Sequence, residues 1–285
     1  MPRITNWQEI DRLRDGLISP RLTIKQREDD EVKYVHYDFD DKQRFPKQPN
    51  QVELTHLTDL QYGSKGFQRD RFLAYRDWIL SSPNRFVFLG GDLIDAATIL
   101  SVASPYDNTE EPIDQVDGVV ELLDPLAAKG RLLGYVGGNH ERRTIKTFGD
   151  CGRTIARELK VPYSRGVQLI DIKFGAHNPF KVSLWHGGGS ARTKGAKAQM
   201  LHRFMHQADS QVYLVGHLHD VVLLFDWRQQ RVGNKIKLQK IAGIMSSSFQ
   251  GYWNSYAEVS AMSPSDTMMA RILVDRSGGW ECTLR

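Results

Sequence analysis

One repeated pattern constrains this chain more than any other. Between residues 51 and 220, five short apolar runs each close on aspartate, asparagine or histidine, four of them with glycine alongside: VELTHLTD (52–59), RFVFLGGD (85–92), RLLGYVGGN (131–139), FKVSLWHGGG (180–189) and QVYLVGHLH (211–219). Short apolar runs bounded by turn residues read as strands. Between them, 67–82 carries Phe67, Phe72, Leu73, Trp78 and Leu80 near helical spacing. QVDGVVELLDPLAAKG (115–130) reads as helix up to a break near Pro125, and 154–160 and 194–208 read as further helices. Strands alternating with helices define an α/β core. Apolar residues at 40% and charged residues at 25% exclude collagen-like, coiled-coil and wholly disordered chains.

The flanks differ. Residues 1–50 read as an N-terminal extension: a short helix with Trp7, Ile10, Leu13 and Leu17 near one face, two strands around a polar turn at 28–31, and a linker over 40–50. The main domain then runs over 51–285. The extension has three open uses: adding strands to a sheet edge, covering a site, or mediating dimerisation. After His219 the pattern predicts a β-hairpin turning at Gly233-Asn234, and the last segment closes as a hairpin around 277–279. Cys151 and Cys282 have no partner at zinc-ribbon spacing and read as reduced packing residues. The start lacks a secretory apolar run and no stretch reaches about 18 apolar residues, so the expectation is a cytoplasmic protein without a membrane partner. The net charge, 38 − 34 = +4, permits polyanionic partners without requiring them. Composition leaves the oligomeric state undetermined.

The polar residues fall at the carboxyl ends of the strands, where α/β sheets form ligand crevices. They are Asp59 and Gln61, Asp92 and Asp95, Asn139 and His140, His186, and His217 and His219. Mixed carboxylate, imidazole and amide donors suit two hard or borderline divalent cations better than a thiolate site does. Such a pair can clamp a phosphoryl group and activate a water.

In order and spacing, Asp59-Leu60-Gln61, Gly91-Asp92-Leu93-Ile94-Asp95, Gly138-Asn139-His140-Glu141, His186-Gly187 and Gly216-His217-Leu218-His219 resemble the motifs of the calcineurin-like metallophosphoesterase superfamily over about residues 51–220. The resemblance implies a four-layer α/β/β/α sandwich with two mixed β-sheets. It implies that Asp59, Gln61, Asp92 and His219 hold a first metal, with Asp92 bridging, and that Asn139, His186 and His217 complete a second. His140 would contact phosphate and protonate the leaving oxygen, with Asp95 orienting it. Manganese is the expected metal, with iron, zinc or magnesium as alternatives. The family has histidine where this chain has Gln61, a neutral and poorer donor, so a weaker first site tolerant of manganese or magnesium is expected.

Basic residues follow the motifs, Arg142 and Arg143 after GNHE and Arg192, Lys194 and Lys197 after HGGG; all five read as either phosphate contacts or solvated helix termini, and Arg142 and Arg143 are the candidate substrate-binding groups. Arg228, Arg231, Lys235, Lys237 and Lys240 precede Phe249, Tyr252, Trp253 and Tyr256, a set that either stacks single-stranded bases or packs a core edge. His202 and His206, at i and i+4 without an H-E-x-x-H glutamate, read as a solvated helix face. His36 and His177 read as surface residues, and His56 as turned away from the face of Asp59. The expected activity is phosphodiester hydrolysis, with DNA or RNA among the candidate substrates. A phosphomonoesterase acting on protein or small molecules, and a non-catalytic scaffold on the same fold, stand as alternatives.

Overall fold

The five runs form strands because both of their faces are covered, which is why their side chains are apolar almost without alternation. The computed structural model describes residues 27–28, 31–42, 48–98, 101, 105–147, 149–253 and 255–285. The expected helix near 7–17 and residues 43–47 of the expected linker lie outside the described residues. In chain order the elements are β1 (Arg27–Glu28), β2 (Glu31–Val32), β3 (Tyr34–Asp38), β4 (Gln51–Leu57), α1 (Arg69–Leu80), β5 (Arg85–Leu89), α2 (Pro112–Ala127), β6 (Leu132–Val136), α3 (Asn139–Thr144), α4 (Cys151–Glu158), β7 (Tyr163–Ser164), β8 (Gln168–Lys173), β9 (Phe180–Trp185), α5 (Lys194–Met205), β10 (Val212–Val215), β11 (Val222–Val232), β12 (Lys235–Met245), α6 (Tyr256–Val259), β13 (Ala270–Asp275) and β14 (Trp280–Leu284).

Two six-stranded mixed sheets result. The first has the order β14-β13-β4-β5-β6-β7 and the second β11-β12-β10-β9-β8-β3. Three apolar clusters fill the gaps between layers. Leu54, Phe86, Phe88 and Ile272 of the first sheet meet Ile170, Val182, Leu214 and Ile244 of the second. On the outer face of the first sheet, Val87, Leu89 and Tyr135 pack against Phe72 and Ile79 of α1, Val119, Leu123 and Leu126 of α2 and Ile155 of α4. On the outer face of the second, Tyr213, Val215 and Ile241 pack against Leu201, Phe204 and Met205 of α5. The architecture is the α/β/β/α sandwich that the resemblance implies.

Within the segment expected to extend the domain, β3 pairs in parallel with β8, and Val35, Tyr37 and Phe39 are buried between the sheets. Helix α2 runs through Pro125 to Ala127 rather than breaking at the proline. Pro125 falls in the last turn, where the missing N–H forfeits one bond while buried Leu122, Leu123 and Leu126 hold the helix to the sheet. The hairpin turns at Gly233-Asn234, with Val232 opposite Lys235, and the terminal strands pair around 276–279. Both cysteines are buried and free. Among the described residues no helix is long and apolar enough to cross a membrane.

Parallel pairing sets Leu57 beside Leu89 in one sheet and Trp185 beside Val215 in the other, so the loops that follow emerge on a common rim. Bonds between loops sew the sheets together there. The Phe249 amide donates to the Asp59 carbonyl (3.0 Å), and Ser246 Oγ meets His56 Nδ1 (3.0 Å).

Candidate metal centre

The rim brings all seven expected metal-site residues into a connected set. Asp59 and Gln61 follow β4, Asp92 follows β5, Asn139 and His140 begin α3, His186 follows β9, and His217 and His219 follow β10. Five of them hold positive φ: Asp59 (53°), Gln61 (48°), Asp92 (50°), His217 (68°) and His219 (47°). Left-handed backbone is uncommon outside glycine and costs roughly 1–3 kcal/mol a residue, so the fold must fix each one. Backbone bonds do so: Asp59 N donates to Gly91 O (2.9 Å) and Gln61 N to Asp92 O (2.9 Å). Glycine is required where the loops touch. A Cβ on Gly138 would sit 2.0 Å from Asp92 Oδ1, and one on Gly216 2.4 Å from Asp59 Oδ2.

The polar atoms fall into two groups. In one, His219 Nε2 lies 3.2 Å from Asp59 Oδ1 and 3.1 Å from Gln61 Nε2, which is also 3.5 Å from His140 Nε2. In the other, His186 Nε2 lies 3.2 Å from Asp92 Oδ2 and 3.1 Å from Asn139 Oδ1. A ligand atom of His217 falls within 4.8 Å of those of Asp92 and His186. The second oxygen of each carboxylate is used to fix it: Asp59 Oδ2 accepts from Thr58 Oγ1 (2.6 Å) and His217 N (2.9 Å), and Asp92 Oδ1 from His140 N (2.8 Å). His186 Nδ1 donates to Gly90 O (2.7 Å) and His217 Nε2 to Gly189 O (2.9 Å). In each neutral ring, the nitrogen left with its lone pair is then the other one.

Electrostatics favour a cation here. Burial opposes charge on Asp92, but His140 and His186 outweigh it and hold the carboxyl far below its usual range. Burial likewise opposes a proton on His186, yet Asp92 and Asp59 push its pKa up to about 9. The field that stabilises a proton on His186 stabilises a metal ion in the same way. Asp59 Oδ1 is buried and makes no hydrogen bond of good geometry, a loss that a cation would repair. Separations of 3.1–3.2 Å suit atoms sharing one cation, since bonds of about 2.0–2.2 Å set ligands about 3.0–3.6 Å apart. These residues fit a divalent pair. Gln61 presents its amide nitrogen, which cannot ligate; a half-turn of the amide brings its oxygen to the same point.

His140 stands beside the groups, almost fully buried. Its Nδ1 is 2.7 Å from the Asp95 carbonyl and 3.1 Å from Asp95 Oδ1, so Nδ1–H is held and Nε2 faces the centre, 3.6 Å from Asp92 Oδ2. Burial lowers its pKa, and Asp92 and Asp95 more than reverse this, raising it above the ordinary value. Asn108, oriented as its neighbours require, donates to Asp95 Oδ2 (2.5 Å).

The motifs assign Glu141 no role, and here it is the hub of the rim. Its Oε2 accepts from Gly138 N (2.8 Å) and Asp92 N (3.0 Å), and its Oε1 from Leu93 N (2.6 Å) and Tyr135 Oη (3.2 Å). It thereby ties the Asp92 loop to the start of α3. The only signal in the sequence is its place after His140. Asn108 carried no signal at all.

The basic residues divide. Arg143 bonds Ser101 Oγ (3.1 Å), and its charge is felt at His140, whereas Arg142 is exposed on α3. Lys194 and Lys197 both engage Asp220, Lys197 at 2.9 Å, so they brace the His217–His219 loop instead of offering charge to a substrate. Phe249 is buried against Phe72 and Tyr75, which makes it core. Trp253 is 75% exposed. His56 is buried off the face of Asp59, where burial pushes its pKa down to about 3.

No family profile and no curated protein matches the sequence. Solved structures similar to this chain include the calcineurin-like phosphoesterase YfkN from Bacillus subtilis, at 11% identity over 82% of this chain and 90% of that one, with a TM-score of 0.44. The NAD nucleotidase (NadN) of Haemophilus influenzae aligns at 10% identity over 82% of this chain but 49% of its own, with a TM-score of 0.38. GAP50, the anchor in the inner membrane complex of Plasmodium, aligns at 12% over 83% and 84%, with a TM-score of 0.41. Similarity this low carries no argument about activity, which rests on the residues of the rim.

Proposed function

We propose that this chain is a calcineurin-like, metal-dependent phosphoesterase that acts on phosphodiesters, nucleic acid among them. The observation that carries the reading is the pair of acceptor-rich groups around Asp59 and Asp92 beside a histidine whose Nδ1 is held by Asp95. Asp59, Asp92 and His219, with Gln61 through its oxygen, would hold one cation; Asp92, Asn139, His186 and His217 would hold the other, manganese being preferred. Divalent cations bound there offset charge on phosphoryl oxygens and lower the pKa of an attacking water.

The chain's own part in the reaction centres on His140. With Nδ1–H bonded to Asp95, a proton on Nε2 faces the ester. As the bond from phosphorus to the leaving oxygen breaks, that proton passes to the oxygen, the alcohol departs neutral, and His140 is left uncharged. Asp95 keeps the ring in one tautomer throughout, and Asp92 favours its protonated form before the step. Arg143 adds positive charge on the side of α3, favouring an anionic substrate.

Support for a nucleic-acid substrate comes from the β11–β12 hairpin. Phe225 (50% exposed) and Trp227 (58%) alternate along one face with exposed Arg231, and Lys240 lies opposite Trp227. Aromatic faces among cations can hold splayed bases. The test is a comparison of bis-p-nitrophenyl phosphate, p-nitrophenyl phosphate and single-stranded DNA as substrates with manganese present. Faster turnover of the diester and DNA, abolished by chelator, is expected. Preference for the monoester would reassign the substrate class, and no turnover of any of the three would favour the scaffold.

A further inference from the structure

A second convergence of ligand atoms lies between α5 and β11, outside the centre described above. His202 and His206 are one helical turn apart and share a face of α5, their ring centroids 4.8 Å apart. Strand β11 packs beneath that helix, with Leu224 in the same apolar cluster as Leu201 and Met205. Two residues along, on the same face of the strand, Asp226 meets both rings. Its Oδ2 is 3.1 Å from His202 Nε2 and 3.5 Å from His206 Nε2, and the two Nε2 atoms are 3.4 Å apart.

This triangle has the dimensions of three ligands around one ion. Bonds of about 2.0–2.2 Å at near-tetrahedral angles set ligand atoms about 3.0–3.6 Å apart. The carboxylate is aimed, because Asp226 Oδ1 accepts from the Trp227 amide (2.7 Å) and so leaves Oδ2 turned to the rings. The site also sits at the carboxyl end of α5, where His206 is the C-cap and the carbonyl dipoles favour positive charge. Two imidazoles and one carboxylate match zinc, and side-chain exposures of 53%, 46% and 36% leave room for water at a fourth position.

We propose that His202, His206 and Asp226 form a surface zinc site that clamps α5 to β11. The clamp adds to the brace at the other end of the helix, where Lys194 and Lys197 hold Asp220 beside the His217–His219 loop. Nothing in this inference depends on the phosphoesterase reading.

Zinc alone is the probe. Chelator-stripped wild-type protein, His202→Ala/His206→Ala and Asp226→Asn are dialysed against the same free zinc, and bound metal is counted by elemental analysis. The wild type is expected to bind one more zinc per chain than either variant, or to hold it at least about tenfold more tightly. Hydrolysis of bis-p-nitrophenyl phosphate with manganese is expected to be unchanged in both variants. The ring-nitrogen NMR signals of His202 and His206 in the wild type should move on zinc addition, which keeps the test independent of how the variants fold. Equal zinc content in all three proteins, or ring signals unmoved at saturating zinc, overturns the proposal.

Discussion

Glu141 illustrates how much of the centre depends on a side chain that touches no substrate. Three backbone amides and the Tyr135 hydroxyl point at one buried carboxylate. Leaving such donors unpaired costs about 1–3 kcal/mol each, without strict additivity. Glu141→Ala should therefore lose more than about 3 kcal/mol in urea denaturation and release the Asp92 loop from α3. A loss below about 1 kcal/mol would show that water replaces the carboxylate. His140→Ala is the complementary case, since its backbone amide still holds Asp92. Turnover of a diester with an alkyl leaving group should fall about 10²–10⁴-fold, with manganese affinity retained. The fall should be smaller for p-nitrophenyl esters, whose leaving group needs less help from an acid. Equal losses on both esters would remove the proton-donor role.

At the scale of elements, the strands were legible because burial on both faces imposes apolar runs, and the hairpin because Gly233 supplies the positive φ its turn needs. Less was legible where partners are distant in sequence. The Asp220 brace joins residues 26 and 23 positions apart, and β3 joins a strand more than 130 residues later. The rims of Asp59 and Asp92 could be named from motifs, but not the left-handed backbone that turns them inward. Glu53 is another case. On β4 it sits opposite Arg85 of β5, which bonds it at 2.6 Å, and it also bonds Arg271 of β13, so one carboxylate pins three strands. Burial alone would raise its pKa, but the two arginines hold it below the ordinary value. The stabilisation is thus present above the unfolded value of about 4.3 and lost as pH falls through the lowered folded value. Glu53→Gln should cost about 1–3 kcal/mol at pH 7 and make the acid limb of the stability curve shallower. An unchanged pH dependence in chemical denaturation would contradict this.

For the whole molecule, the join between two sheets is where the candidate centre lies. Asp59 and Asp92 come from one sheet and His186, His217 and His219 from the other, and the centre exists only while the sheets stay stacked. The apolar layer between them serves the site as directly as the candidate ligands do. Anomalous diffraction from a manganese-loaded crystal tests this most directly. Two peaks are expected on the rim, one beside Asp59 and His219 and one beside Asn139, His186 and His217, with Asp92 between them. Manganese bound elsewhere, with no peak among these six residues, would contradict the account.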